Sequence, residues 1–268
     1  MNGDYLVRAT ALDGRVRAFA LTATHAVSEL QRRHDTFPAV TAALGRTALG
    51  ALLLGAASLK EEHHSLSIEV KGGGPVGRIL ATVNGLGEVR GLVSHPHAHV
   101  DSRDGKLNVA GVVGTEGYLS VTRSLGMRET YQGMVELISG EIGMDLAYYL
   151  GKSEQTNSGV AVGVFIRPDH TVEAAGGYLV QLLPGLDDTE VGEIERALAS
   201  LPHPTDLIRH GVTPEQVLER VFPGGFELLD RYPVGFRCQC SREKVESMII
   251  SLGPDEIRRI IDEEKEPY

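Results

Sequence analysis

Two periodicities divide the chain. Up to about residue 183, apolar positions recur at every second residue or in short runs, with Gly, Asn, Asp and Pro between them. That pattern predicts strands joined by tight turns. Tyr5–Leu12 and Arg15–Leu21 alternate around Asp13-Gly14, which reads as a hairpin. Ser65–Val70, Gly77–Val83 and Glu88–Val93 read as further strands, the last two joined near Asn84-Gly85. Leu107–Val113 and Tyr118–Arg123 extend the series, and Val160–Ile166 and Thr171–Ala174 flank a turn at Pro168-Asp169. Met134–Ser139 and Ala147–Leu150 fit either a strand or a short helix.

One segment breaks the alternation. Phe37–Leu59 is almost entirely Ala, Leu, Gly, Val and Thr, with Pro38 in its first turn and Asp35 or Thr36 as candidate caps. It is long enough to span a bilayer, but Arg46 lies in its middle, where charge is costly in lipid. A helix apolar on every side needs cover on every side, and two sheets would provide it. The expected fold class is therefore α+β: two sheets around a buried apolar helix, after a short helix near His25–Arg33.

Beyond Pro184-Gly185 the period changes to that of helices. Asp187–Ser200 places Val191, Ile194, Leu198 and Leu201 on one face, with acids in the first turn and Pro202 and Pro204 at its end. Thr213-Pro214-Glu215-Gln216 is a capping box that opens a helix with Val217, Leu218 and Val221 as its apolar face. Pro223-Gly224-Gly225 stops it. Such short amphipathic helices carry little core of their own and must lie on something larger. From Val234 the chain runs through Cys238-Gln239-Cys240 to a helix over Arg242–Leu252 capped by Ser241. A shorter helix over Asp255–Asp262 and a frayed tail follow. The expected division is a core over 1–183, a helical linker over 184–233 and a small C-terminal segment over 234–268.

Charge follows the same division. Residues 1–183 carry 18 acids and 16 bases, whereas 184–268 carry 18 acids and 10 bases. A net charge of −10 with no Trp argues against a general nucleic-acid binder, which needs a basic surface and stacking platforms. Met1-Asn2-Gly3-Asp4-Tyr5 does not start a signal peptide, and two cysteines do not frame a secreted domain of this size, so the expected compartment is the cytoplasm. Gly72-Gly73-Gly74-Pro75-Val76-Gly77 formally matches a dinucleotide fingerprint. The fingerprint needs a following helix, and Arg78–Val83 reads as a strand.

Two clusters could carry chemistry. His95, His97 and His99 would share one face of an extended segment, and three imidazoles can hold a catalytic zinc. This leaves a metal-dependent hydrolase as one alternative, although Pro96 favours a plain strand edge or loop. Cys238 and Cys240 lie two residues apart among Arg237, Arg242 and Lys244 at a helix start. Nearby cations and the helix dipole favour thiolate, which binds zinc and reacts with oxidants.

Several longer stretches add a resemblance. Ser139-Gly140-Glu141-Ile142, Asp145-Leu146-Ala147-Tyr148-Tyr149-Leu150 and Ser153-Glu154-Gln155 are three of them; Ala174-Ala175-Gly176-Gly177-Tyr178-Leu179-Val180-Gln181-Leu182-Leu183-Pro184-Gly185 is a fourth. With Cys238-Gln239-Cys240-Ser241 and Ser251-Leu252-Gly253 they make the chain similar, over nearly its whole length, to the heat-shock-protein-33 family of redox-regulated chaperones. The resemblance implies a holdase rather than an enzyme. In that family a C-x-C pair and a later C-x-x-C pair hold one Zn²⁺ while the protein is reduced and inactive. Oxidants then join the pairs as disulfides, the metal leaves, and the switch and linker unfold. The protein, often a homodimer, then binds unfolding clients.

Cys238 and Cys240 fall on the first pair, as metal ligands and as the redox-active disulfide. No C-x-x-C follows Glu263-Glu264. The expectation is that a second pair lies beyond Tyr268 in the full-length protein. The 268-residue chain, holding half of a four-thiolate set, is expected to be constitutively or partly active. A redox-independent interaction module is the remaining alternative.

Overall fold

The computed structural model describes residues 3–103, 105–126, 130–238 and 240–263. Residues up to Phe236 form one compact unit and residues from Arg237 a second.

The hairpin forms as expected, from β1 (Tyr5–Ala11) and β2 (Val16–Thr22). Helix α1 (Thr24–His34) follows, then α2 (Pro38–Ser58). Strands β3 (Ser65–Lys71), β4 (Arg78–Asn84) and β5 (Glu88–Val93) form a meander. Helix α3 (Val109–Val113), β6 (Tyr118–Ser124), β7 (Tyr131–Glu136) and α4 (Gly143–Lys152) come next. Strands β8 (Ser158–Ile166) and β9 (Val172–Leu182) pair antiparallel. Then come α5 (Asp188–Ser200), α6 (Pro204–Arg209), α7 (Pro214–Val221), β10 (Glu227–Pro233) and β11 (Gly235–Phe236). The second unit holds α8 (Arg242–Leu252) and α9 (Pro254–Glu263).

The strands make a five-stranded sheet in the order β10-β1-β2-β9-β8 and a six-stranded sheet in the order β11-β5-β4-β3-β6-β7. Helix α2 packs on β3, β4 and β5 of one sheet and on β2, β8 and β9 of the other. Seventeen of its 21 residues are buried, so the α+β reading with a sandwiched helix holds. The same burial explains a helix apolar enough to cross a membrane: its faces meet protein. Arg46 reaches out of the sandwich to Glu141 at 2.5 Å.

Local differences from the sequence reading have local causes. Asp35 does not cap α2. It closes α1 in the left-handed region at φ 50°, and Phe37 stands at the start of α2 in extended conformation. Thr36 supports the turn from within, its carbonyl accepting from Thr41 Oγ1 at 3.0 Å. Leu107–Val113 is not a strand. Asn108 Oδ1 accepts from Gly111 N at 2.8 Å, which starts a one-turn helix, and Gly114 at φ 79° ends it. The C-terminal carbonyls of that helix are used by the glycine-rich loop: Gly74 N donates to Val113 O and Val76 N to Val112 O. A Cβ at Gly72 or Gly74 would lie 2.5 Å from those backbone oxygens, so the glycines serve close packing rather than a pyrophosphate.

Strand β9 runs eight residues past Ala174. Gly176 and Gly177 lie within it, where neighbouring strands press close: a Cβ there would lie 2.4 Å from Leu21 O and 2.3 Å from Ala161 O. Met134–Ser139 overlaps β7, and Ala147–Leu150 lies inside α4. Pro204, read as the end of the preceding helix, instead stands in the first turn of α6. Glu227–Pro233 adds an edge strand to β1, so the linker segment carries a strand as well as helices.

Candidate functional site

The five-stranded sheet has two apolar faces. Its inner face joins the cluster around α2. Its outer face carries Val7, Ala9, Val16, Ala18, Ala20, Tyr178 and Val180, covered by Ile194 of α5, Leu207 of α6 and Leu218, Val221 and Phe222 of α7 and its end. The sequence pattern predicted helices that had to lie on something, and this face is what they lie on.

The cover consists of short helices and is thinnest at α5. Only Ile194 of the 13 residues in α5 is buried. Three side chains of the linker sit over glycines of the sheet. A Cβ at Gly159 would lie 2.5 Å from Leu198, at Gly163 2.4 Å from His203, and at Gly176 2.5 Å from Ile208. Charged groups latch each helix. Arg15 donates two bonds of 2.7 Å to Glu190 of α5. Tyr5 donates to Glu215 of α7 at 2.8 Å, and Arg231 lies 4.1 Å over the Tyr5 ring. Arg209 of α6 meets Glu173 at 3.3 Å and stacks 4.0 Å from the Phe165 ring. The Arg15 guanidinium holds the Glu190 carboxyl below its ordinary value, and Arg167, with Arg209, does the same for Glu173. Burial pushes the Tyr178 phenol up.

Both helix starts carry capping boxes, the one at α7 as read and the one at α5 beyond the first-turn acids that the sequence suggested. Asp187 and Glu190 exchange bonds of 2.9 and 3.0 Å across the start of α5. Thr213 and Gln216 do so across the start of α7 at 3.3 and 3.0 Å.

The motifs that carried the resemblance are structural knots. Asp145 is fully buried. Its carboxylate accepts from Ile138 N, Ser139 N, Ser139 Oγ and Ile142 N at 2.8 to 2.9 Å. That network fixes Ile142 at φ 66°. Glu154 pairs with Arg123, both largely buried, and burial pushes the neighbouring Tyr149 phenol to about 12.

The three histidines are not brought together. Ala98 N bonds His95 O, which bends the segment into a turn rather than an extended strand. His97 Nε2 then meets Asp35 at 2.9 Å, while His99 lies 3.9 Å from Asp101. Among the described residues no three His, Cys, Asp or Glu side chains gather where a metal could sit. That removes the geometry a His95/His97/His99 hydrolase needs.

Cys238 and Cys240 are both exposed, and Cys238 Sγ accepts from Cys240 N at 3.4 Å. Gln239 lies outside the described residues. Ser241 Oγ accepts from Lys244 N at 3.2 Å and caps α8, as its position predicted. A closed zinc site takes four ligands, and this pair is two, so the described residues do not fit a complete site. The apolar side chains of α8, among them Met248, Ile249 and Ile250, are exposed.

The linker latches escaped the sequence reading. Glu190 stood out only as a first-turn acid, and its partner Arg15 lies 175 residues away.

Comparisons with known proteins place this architecture. A family model described as "Hsp33 protein" matches residues 4–267. The 33 kDa chaperonin of Bacillus licheniformis is 50% identical over 262 residues, covering 97% of this chain and 90% of the relative. That of Geobacillus kaustophilus is 48% identical over 264 residues, covering 98% and 89%. The crystal structure of the 33 kDa chaperonin from Thermotoga maritima superposes with a TM-score of 0.85 at 32% identity, covering 93% of this chain and 85% of that one. A two-sheet core with a helix-covered outer face is thus shared with proteins named as chaperonins. The chain belongs to the Hsp33 family.

Proposed function

We propose that this Hsp33-type chaperone is a redox-regulated holdase whose client surface is the outer face of the five-stranded sheet. The observation that carries the reading is the second apolar cluster: a contiguous face from Val7 to Val180, covered by three short helices. Opening those helices would present the kind of apolar patch that soluble proteins reserve for binding. Unfolding proteins, which expose apolar side chains and unpaired backbone, are the fitting partners. The acidic C-terminal third, with 18 acids against 10 bases over residues 184–268, would keep a loaded complex soluble.

Cys238 and Cys240 are the redox element in this proposal. Their two thiols give two electrons and two protons to a peroxide, which leaves as two waters while one S–S bond forms. Zinc belongs to the proposal as a group these thiolates would share with two further ligands. A cytoplasmic compartment and a homodimeric active form also belong to it.

The test is light scattering of a heat-denaturing client. The reduced 268-residue chain should suppress aggregation in part, and peroxide should increase suppression. Cys238→Ser with Cys240→Ser should abolish the peroxide response. Absence of suppression in either redox state would sink the holdase reading. A peroxide response that survives loss of both thiols would sink the redox element.

A further inference from the structure

The inner face of the five-stranded sheet is apolar except at one place. The ladder sets Arg8 of β1 opposite Phe19 of β2, and Arg17, two residues before Phe19, opposite Gln181 of β9. Side chains alternate along a strand and match across it, so all four share the inner face with Phe19, which is buried there. The Arg17 guanidinium lies 5.3 Å from the Phe19 ring centroid, and its Nη2 donates to Ala57 O at 2.6 Å in the last turn of α2. That bond satisfies one of the carbonyls a helix end leaves open. The rest of the Arg17 guanidinium bonds nothing among the described residues.

Arg8 has no acceptor at all. Its guanidinium makes no hydrogen bond or ion pair with any described residue, and its Nε is buried. Gln181 is 5% exposed, and its Oε1 is likewise buried without a partner. Asp230 of β10 stands opposite Arg8 in the ladder, yet it is exposed and its carboxylate accepts from Arg231 N at 2.8 Å. Tyr232, two residues on, shares the face; burial pushes its phenol to about 12, so it is a hydrogen-bond donor at neutral pH. Burial and then the charge of Arg8 hold the Arg17 pKa below its ordinary value. Half-buried charge without a partner is costly, and an aliphatic side chain would fill the same space without that cost. The end of α2 accounts for Arg17 but leaves Arg8 unexplained.

We propose that Arg8 and Arg17, with the Gln181 amide and the Tyr232 hydroxyl beside them, form a binding site for a phosphoryl oxyanion. Planar guanidinium groups match the oxygens of such a group with paired N–H bonds. The Gln181 amide serves in either orientation: Oε1 accepts from a protonated phosphate oxygen, or the turned amide donates to a bare one. Asp230, opposite Arg8, repels a highly charged ligand, so a single phosphate suits the site better than a polyphosphate. The site lies on the face of the sheet that the linker helices do not cover, so it is independent of the holdase reading.

The probe is inorganic phosphate, added to the 268-residue chain in exchange for chloride at constant ionic strength. The thermal midpoint should rise by mass action and saturate, with half-saturation in the low millimolar range. No rise up to about 20 mM phosphate overturns the site. Arg8→Met keeps the packing of the stem and breaks no hydrogen bond, so it should fold, and its affinity for phosphate should drop at least about tenfold. Equal affinity overturns the site. A second measurement needs no change at position 8: the Arg8 Nε–H resonance in nitrogen-15 NMR should move as phosphate is added and saturate with the midpoint, and an unmoved resonance overturns the proposal. Adenosine monophosphate then separates the sources of the phosphate. Tighter binding than inorganic phosphate, weakened by Arg8→Met, assigns the site to phosphate carried on a larger molecule; equal or weaker binding assigns it to the free ion.

Discussion

Two apolar clusters of this molecule use the same side chains to opposite ends. The inner one, around α2, is enclosed by a sheet on each side, and 17 of 21 helix residues are buried. The outer one, on the far face of the five-stranded sheet, is covered by helices of 13, 6 and 8 residues. Short helices are marginal on their own and persist by packing. The inner cluster thus defines the fold, while the outer one is a surface under a cover of short helices. The difference lies in the cover rather than in hydrophobicity.

The comparison breaks most easily at matched leucines. Leu49 and Leu218 are both fully buried, one in α2 and the other in α7. Leu49→Ala should cost about 2–5 kcal/mol and lower the thermal midpoint of the whole unit. Leu218→Ala should instead raise hydrogen exchange in α5 to α7 and leave most of that midpoint intact. Equal midpoint losses would show that cover and core unfold as one body.

A smaller effect sharpens the same point. Thr213→Ala removes the cap of α7 and should cost about 1 kcal/mol, felt in the linker's exchange rather than in β3 or β4. An unchanged linker would mean that packing alone holds α7.

The smallest effect concerns the Arg15–Glu190 latch, which is partly exposed. Arg15→Ala should loosen α5 at low salt and do little at high salt, since exposed pairs are screened. The latch also has a pH window. Because Arg15 holds Glu190 below its ordinary 4.5, the contact is complete above that value and lost as pH falls through the lower, docked one. Exchange of α5 at pH 3 to 5, with and without Arg15→Ala, checks it. Identical profiles would remove the latch from the account.

Much of this was readable in the residues. The hairpin at Asp13-Gly14, the buried helix within 37–59 and the capping box of α7 were expected, and all are present; the capping box of α5 was not foreseen. Of the chemistry, the cysteine pair stood out by its spacing, and Ser241 caps the neighbouring helix where predicted. The histidine triplet failed because it assumed an extended segment, and a turn at His95 to Ala98 sends the rings apart. β10 was missed because Glu-Leu-Leu-Asp-Arg-Tyr-Pro neither alternates nor excludes other states, and as an edge strand it needs only one partner.

The sequence alone determined what depends on neighbours within a turn or two: helix starts, hairpins, the period of each segment, and the sulfur pair. Those interactions close over three or four residues, so their partners are visible side by side. Tertiary structure alone decided which apolar face received a light cover, which glycines became sockets, and that Arg15 would meet Glu190 and His203 would meet Gly163. Such contacts join residues tens to hundreds of positions apart, and only the packed chain brings them within reach.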